Sequence, residues 1–218
     1  MMKYSLLIFD LDGTILDTLE DLSDSLNYTL QQAGYPQRTL EEARRFIGNG
    51  IRNLIIRGAP EGTPDDEITE LHRVFNGYYA LHRADKTAPY PGIVPMLRQL
   101  KEQGCQIAVV SNKPHHAVGP LCGQYFENLL DDAYGEREGI PRKPAPDAVW
   151  SVMEQFGASA ENTVYIGDSE VDAQTAANAG VDCVLVDWGF RDREILEQAS
   201  AKAIVSTPQA LLNYLVNA

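Results

Sequence analysis

The sequence predicts an α/β protein, a doubly wound, Rossmann-like parallel sheet core with an all-helical segment inserted after the first strand. Three observations carry this expectation. The run Leu6-Leu7-Ile8-Phe9 is wholly apolar and stops on Asp10-Leu11-Asp12-Gly13-Thr14, as a strand covered on both faces does before a loop. From Tyr90 onward, short apolar runs alternate with helical patterns, the signature of parallel strands joined by crossover helices. Between these two regions the periodicity is helical throughout, with no strand pattern.

In chain order, the insert reads as helices over Leu16–Ala33, Leu40–Phe46, Ile51–Arg57 and Asp65–Arg83. Ala88-Pro89-Tyr90-Pro91-Gly92 cannot continue a helix. The joints therefore fall near Ile15 to Asp17 and near Ala84 to Pro91, dividing the chain into residues 1–15 with 88–218 and an insert of residues 16–87. After the insert, strands are expected at Gln106–Val110, Thr163–Ile166 and Cys183–Val186, with shorter ones at Asn128–Asp131 and Ala203–Val205. Helices are expected near Ile93–Gln103, Pro146–Phe156, Val171–Ala179 and Pro208–Val216.

A chain of 218 residues can bury a substantial apolar interior. Its net charge of -13, with no basic stripe, opposes nucleic-acid binding. An anionic ligand would meet an adverse overall field, so local cations or a metal must reverse the sign where it binds. No stretch approaches a membrane span, and the start, Met1-Met2-Lys3-Tyr4, carries no cleavage-site pattern. No membrane partner and a cytoplasmic location are expected. Cys105, Cys122 and Cys183 are odd in number and lack paired spacing, which reads as reduced, buried thiols.

On an extended strand, successive side chains alternate, so Asp10 and Asp12 point the same way where the first strand ends. Such a pair repels itself unless a cation lies between the carboxylates. The alternative is an Asp-rich loop that caps the next helix. Three more segments decide against that alternative: Val109-Val110-Ser111-Asn112-Lys113, Pro141-Arg142-Lys143-Pro144 and Tyr165-Ile166-Gly167-Asp168-Ser169-Glu170-Val171-Asp172. Ligands of doubly wound sheets bind outside the carboxyl ends of the strands. Asp10, Ser111 and Asp168 fall at such ends, so one crevice collects carboxylates, a hydroxyl and the Lys143 ammonium.

In this order the four segments resemble the signature motifs of the haloacid dehalogenase superfamily of phosphohydrolases, over Tyr4 to about Pro208. The resemblance implies a phosphatase working through an aspartyl-phosphate, with the insert as a helical cap domain that closes over the active site. It implies Asp10 as nucleophile and Asp12 as general acid, then general base. Mg²⁺ would be held by the Asp10 carboxylate, the Asp12 main-chain carbonyl and Asp168. Asp172 counts with this metal site as an orienter of bound water, or else serves the helix N-terminus. Ser111, Asn112 and Lys143 would grip the phosphoryl group, with Lys143 neutralising charge shared with Asp10. Thr14 either contributes or caps a helix.

Dehalogenases need no metal and lack the second acid, so Asp12 with Asp168 favours a phosphatase. The β-phosphoglucomutase subgroup places a His in the first cap helix, where this chain has Thr18-Leu19-Glu20-Asp21-Leu22-Ser23. Phe46-Ile47-Gly48-Asn49-Gly50-Ile51 resembles the specificity loop of the phosphoglycolate phosphatase subfamily, and Tyr90-Pro91-Gly92 and Trp188-Gly189-Phe190 fit that subfamily too. The resemblance therefore implies a small phosphorylated metabolite as partner, 2-phosphoglycolate first, with pyrophosphate, nucleotide or sugar phosphates behind it. A noncatalytic phospho-ligand sensor is disfavoured because no motif residue is missing. Gly48, Asn49 and Arg57 are the substrate-binding candidates in the cap, with Arg45 and Arg52 as further cations for a substrate carboxylate. Gly48 and Gly50 otherwise read as helix punctuation, and Arg57 as a surface charge. Monomer and dimer both remain open.

Overall fold

The computed structural model describes residues 2–217. These fall into two compact units, one formed by the chain up to Leu16 together with the chain from Pro89 on, the other by Asp17–Ala88. No helix among the described residues is long and apolar enough to cross a membrane.

The first unit opens with strand β1 (Leu6–Phe9), and short β2 (Leu16–Asp17) and β3 (Ala88–Pro89) form a separate two-stranded sheet. In the second unit, α1 (Leu19–Gln32), α2 (Leu40–Phe46), α3 (Ile51–Gly58) and α4 (Asp65–His82) pack around Leu26, Leu54, Leu71 and Phe75. Thr39 and Glu42 close the start of α2 with a reciprocal capping box. Asp21, buried on α1, accepts hydrogen bonds from the backbone of Lys86 and Thr87 and from the Thr87 hydroxyl. The expected helix from Leu16 begins at Leu19, because Leu16 and Asp17 are extended.

The chain from Pro89 supplies α5 (Ile93–Glu102), β4 (Gln106–Pro114), α6 (His115–Tyr125), β5 (Asp132–Glu136), α7 (Asp147–Phe156), β6 (Thr163–Gly167), α8 (Glu170–Ala179), β7 (Asp182–Val186), α9 (Arg193–Leu196), β8 (Ala203–Val205) and α10 (Pro208–Asn217). The strands form one parallel sheet in the order β5-β4-β1-β6-β7-β8. Leu6, Ile8, Ala108, Val110, Tyr165 and Leu185 share a core with Val149 and Val152 of α7 and Ala173 and Ala176 of α8. The alternate residues Leu7, Phe9, Ile107 and Val109 point to the opposite face and are equally buried. Burial on both faces explains why β1 is apolar without alternation.

Further elements depart from expectation: β4 runs on from the expected Val110 to Pro114, and the short helix α9 has no counterpart in the sequence reading. The strand expected at Asn128–Asp131 lies at Asp132–Glu136. Asn128 instead takes a left-handed turn conformation, and the Asp131 carboxylate accepts the Ile107 amide and the Lys101 ammonium. Helix α6 has no counterpart in the sequence reading, because Gly119, Pro120 and Gly123 lie inside it and all three weaken a helical pattern.

Strand β1 lies between β4 and β6, with later strands added outward on either side. This is the topological switch point of the sheet, where the connections diverge and leave a crevice at the carboxyl ends.

Candidate active site

Register places the predicted residues together. Phe9 pairs with Val109 on β4 and Ile166 on β6, so Asp10, Ser111 and Asp168 leave adjacent strands at one end of the sheet. Asp10, Lys143, Asp168, Asp172 and Ser111 are all buried.

Lys143 is the hub. Its ammonium lies 2.9 Å from Asp10 Oδ1 and 2.7 Å from Asp172 Oδ1, and donates to the Tyr165 hydroxyl at 3.0 Å. The Tyr165 hydroxyl donates in turn to the Val110 carbonyl at 2.8 Å. All three ammonium protons thus have acceptors. Burial would lower the Lys143 pKa, but the Asp10 and Asp172 charges outweigh it and hold the ammonium protonated.

Asn112 was expected to bind substrate, and its side chain is committed elsewhere. Its Oδ1 accepts the Lys143 amide at 2.8 Å and its Nδ2 donates to the Lys143 carbonyl at 3.1 Å. This pair of bonds fixes where the lysine side chain begins. Ser111 Oγ accepts the Lys113 amide at 3.2 Å, which leaves its O–H to donate.

The acidic residues divide by their partners. Oxygens of Asp10, Asp168 and Asp172 lie within 4.8 Å of one another. Asp172 spends one oxygen on Lys143 and the other on the Ser169 hydroxyl and amide, closing a capping box at the start of α8. The reading of Asp172 as a helix cap is therefore visible, and the same side chain anchors the ammonium. Asp168 accepts the Phe190 amide at 2.7 Å and faces the Thr14 hydroxyl at 3.5 Å. Thr14 precedes no helix, so its alternative reading as a helix cap does not apply. Apart from the Lys143 ammonium, Asp10 Oδ1 has no polar partner among the described residues.

This donor set fits a divalent cation. Burial, with the neighbouring carboxylates, pushes Asp168 well above the usual carboxylate range. Burial likewise lifts Asp10 to about 7, although Lys143 opposes it. Clustered carboxylates that resist ionising are what a hard cation with oxygen ligands relieves. The Asp12 carboxylate stands apart from this cluster and is held by Lys113.

Lys113 is the residue that sequence reasoning missed. Its ammonium contacts both Asp12 oxygens, at 2.9 and 3.1 Å, and its side chain is only 2% exposed. A signal was present, since Lys113 follows Ser111 by two in the same motif at the end of a strand. The Trp188-Gly189-Phe190 segment also gains a role. Trp188 donates its indole N–H to the Thr14 carbonyl, Phe190 binds Asp168, and Gly189 leaves no room for a Cβ against Asp168. Gly13 has φ +85°, and a Cβ there would meet Asp168 Oδ2 at 2.3 Å. Gly13→Ala is expected to cost about 1–3 kcal/mol from the backbone alone and to displace Asp168, which would weaken the binding of any divalent ion held by the acidic cluster. Chemical denaturation with and without Mg²⁺ checks both effects.

In the helical unit, Gly48, Asn49 and Gly50 all have positive φ and form the turn between α2 and α3. The Asn49 carbonyl accepts the Asn53 side chain at 2.7 Å. Arg57 donates to the Phe46 carbonyl at 3.0 Å, closing the end of α2. Arg45 pairs with Glu41, and Arg52 with Asp65, while Arg52 Nη1 is buried without a hydrogen-bond partner among the described residues.

Comparison with known proteins places these features in context. The family model of haloacid dehalogenase-like hydrolases matches residues 7–186. A phosphoglycolate phosphatase of Pseudomonas putida is 33% identical, covering 95% of this chain and 78% of the relative. Phosphoglycolate phosphatase 1 of Pseudomonas aeruginosa is 34% identical over 91% of this chain and 75% of its own. A solved structure from Lactobacillus delbrueckii subsp. bulgaricus, provisionally named a phosphoglycolate phosphatase, superposes with a TM-score of 0.93 at 38% identity, covering all of both chains.

Proposed function

The chain belongs to the haloacid dehalogenase-like hydrolase family, and we propose that it is a magnesium-dependent phosphatase of a small organic phosphate monoester, 2-phosphoglycolate first. The observation that carries this reading is Asp10, a buried carboxylate at the end of β1 paired with the Lys143 ammonium and clustered with Asp168 and Asp172. The names of the relatives support the choice of substrate.

In the first half-reaction an Asp10 oxygen attacks phosphorus while the ester P–O bond breaks. Asp12 gives its proton to the departing alkoxide, so a neutral alcohol leaves. Lys143, fixed by Asp172 and Tyr165, bears on the charge that Asp10 shares with the phosphoryl group. The Ser111 hydroxyl donates to a nonbridging oxygen. In the second half-reaction Asp12 takes a proton from water as its oxygen bonds to phosphorus, and the bond to Asp10 breaks. Asp10, Asp168 and the Asp12 carbonyl would hold magnesium, which when bound neutralises charge between nucleophile and phosphoryl group.

Chelation of divalent ions is expected to abolish turnover, and magnesium to restore it. Magnesium at about a hundred times its dissociation constant should also stabilise the fold by about 2.7 kcal/mol, read as a rise in melting temperature. Calcium should restore turnover poorly, because its looser coordination allows bidentate capture of Asp10. Full activity in excess chelator would remove the metal from the reading. The substrate is tested by ranking kcat/KM across about a hundred phosphorylated metabolites, since specificity is a ratio of these values. Phosphoglycolate should head the ranking, and a nucleotide or sugar phosphate there would replace it.

A further inference from the structure

We propose that Lys113 is the residue that recognises a second anion on the leaving group, so that the α/β core itself selects phosphomonoesters bearing a carboxylate next to the ester carbon. This inference rests on the reading above of Asp12 as the group that serves the leaving oxygen. The phosphoryl site and the leaving-group site have separate cations. Lys143 is shared by Asp10, Asp172 and Tyr165, whereas Lys113 grips both oxygens of Asp12. To reach the leaving oxygen, Asp12 must turn one of those oxygens away from Lys113. The Lys113 side chain is nearly sealed from solvent, so an ammonium N–H released in this way needs another acceptor.

A leaving group whose oxygen lies against Asp12 presents its next atoms to Lys113. In phosphoglycolate the bridging oxygen is bonded to a methylene, and the methylene to a carboxylate. That carboxylate can accept the Lys113 N–H that Asp12 no longer accepts, in a charge-assisted hydrogen bond. Ethyl phosphate, with a methyl group in the same place, offers no such acceptor. Sites built to bond a polar group discriminate strongly against analogues that lack it. Lys113 follows Ser111 by two residues on β4, so one strand end would register the phosphoryl group and the second anion together. Arg57, the favoured candidate in the sequence, is already bonded to the Phe46 carbonyl.

The test compares kcat/KM for 2-phosphoglycolate and ethyl phosphate in the wild type, Lys113→Met and Arg52→Ala. The wild type should prefer phosphoglycolate. In Lys113→Met that preference should fall roughly 10²-fold, beyond any loss common to both substrates from a less restrained Asp12. In Arg52→Ala it should persist. A preserved ratio in Lys113→Met overturns the proposal, whether both rates fall together or neither does, and a ratio lost only in Arg52→Ala transfers recognition to the helical unit. If the wild type shows no preference, the phosphoglycolate reading fails first, which separates the two failures.

Because Lys113→Met strands a carboxylate and can fail to fold, Asp12→Asn and Asp12→Asn/Lys113→Met are compared by ligand binding, which needs no turnover. Tighter binding of phosphoglycolate than of ethyl phosphate in the single variant, lost in the double, supports the proposal. Equal preference in both variants overturns it.

Discussion

Asp10→Asn is expected to lower turnover by roughly 10⁴-fold or more, the scale on which loss of a covalent nucleophile falls, while raising the melting temperature of the metal-free protein near neutral pH. The two effects have one origin. Burial, and beyond it the Asp172 and Asp12 charges, lifts the Asp10 carboxyl from 3.8 to about 7 against the pull of Lys143. An acid whose folded-state pKa is raised binds its proton more tightly in the native protein. Its contribution to stability is therefore full below the unfolded value and is lost as pH rises through the folded one. Asparagine has nearly the same shape and never ionises, so it avoids that loss. Lys143 keeps Asp172 and Tyr165 in the variant. Melting curves without metal should thus show the variant ahead of the wild type at about pH 8 and the gap closing toward about pH 5. Activity within tenfold of the wild type would remove Asp10 as nucleophile. A variant that melts lower at the higher pH would mean that the ionised Asp10–Lys143 pair is a net stabiliser.

Lys143→Met should be the most damaging change to the fold. It removes the one cation paired with Asp10 and Asp172 among the described residues and leaves two carboxylates, with Asp168 nearby, buried together. Breaking a buried ion pair from one side costs roughly 3–5 kcal/mol, a drop in melting temperature of about 10 °C for a chain of this size. Turnover should be lost as well, because the charge on the transferring phosphoryl group then faces uncompensated carboxylates. The sign of the defect is testable by a second change. Lys143→Met/Asp172→Asn removes one of the stranded charges and should recover part of the stability without recovering turnover, a nonadditivity expected of residues in contact. If the single variant melts like the wild type, the hub role of Lys143 is wrong.

Much of this was legible in the sequence, and what was not has physical causes. Strands buried on both faces announce themselves as apolar runs, so β1, β6 and β7 were found close to their observed limits, while β4 continues past the expected Val110 to Pro114, where its residues turn polar. Helix α6 was hidden because Gly119, Pro120 and Gly123 interrupt its pattern, and β5 because Asp132-Ala133-Tyr134-Gly135-Glu136 has no apolar run. The ends of strands gave Asp10, Ser111 and Asp168, since motif spacing there reflects the geometry of one crevice. Partnership is not written in spacing. Nothing in the chain distinguishes Asn112 as the clamp on the Lys143 backbone from Asn112 as a substrate ligand, nor Arg57 as the group closing α2 from Arg57 as an anion receptor. Lys113 could have been read from its two-residue offset from Ser111, but its pairing with Asp12 depends on which strands are neighbours.

The central claim is that Asp10 carries the phosphoryl group, and the direct measurement is a rapid-quench experiment on Asp12→Asn with magnesium and para-nitrophenyl phosphate. This leaving group departs without acid assistance, so formation of the intermediate should remain fast while its hydrolysis, deprived of the general base, slows by roughly 10²–10⁴-fold. The account predicts a burst of one nitrophenolate per enzyme and, after quenching, one phosphoryl group on the peptide that contains Asp10. Linear release from the first turnover, with no phosphoryl group on that peptide while product still forms, would contradict it.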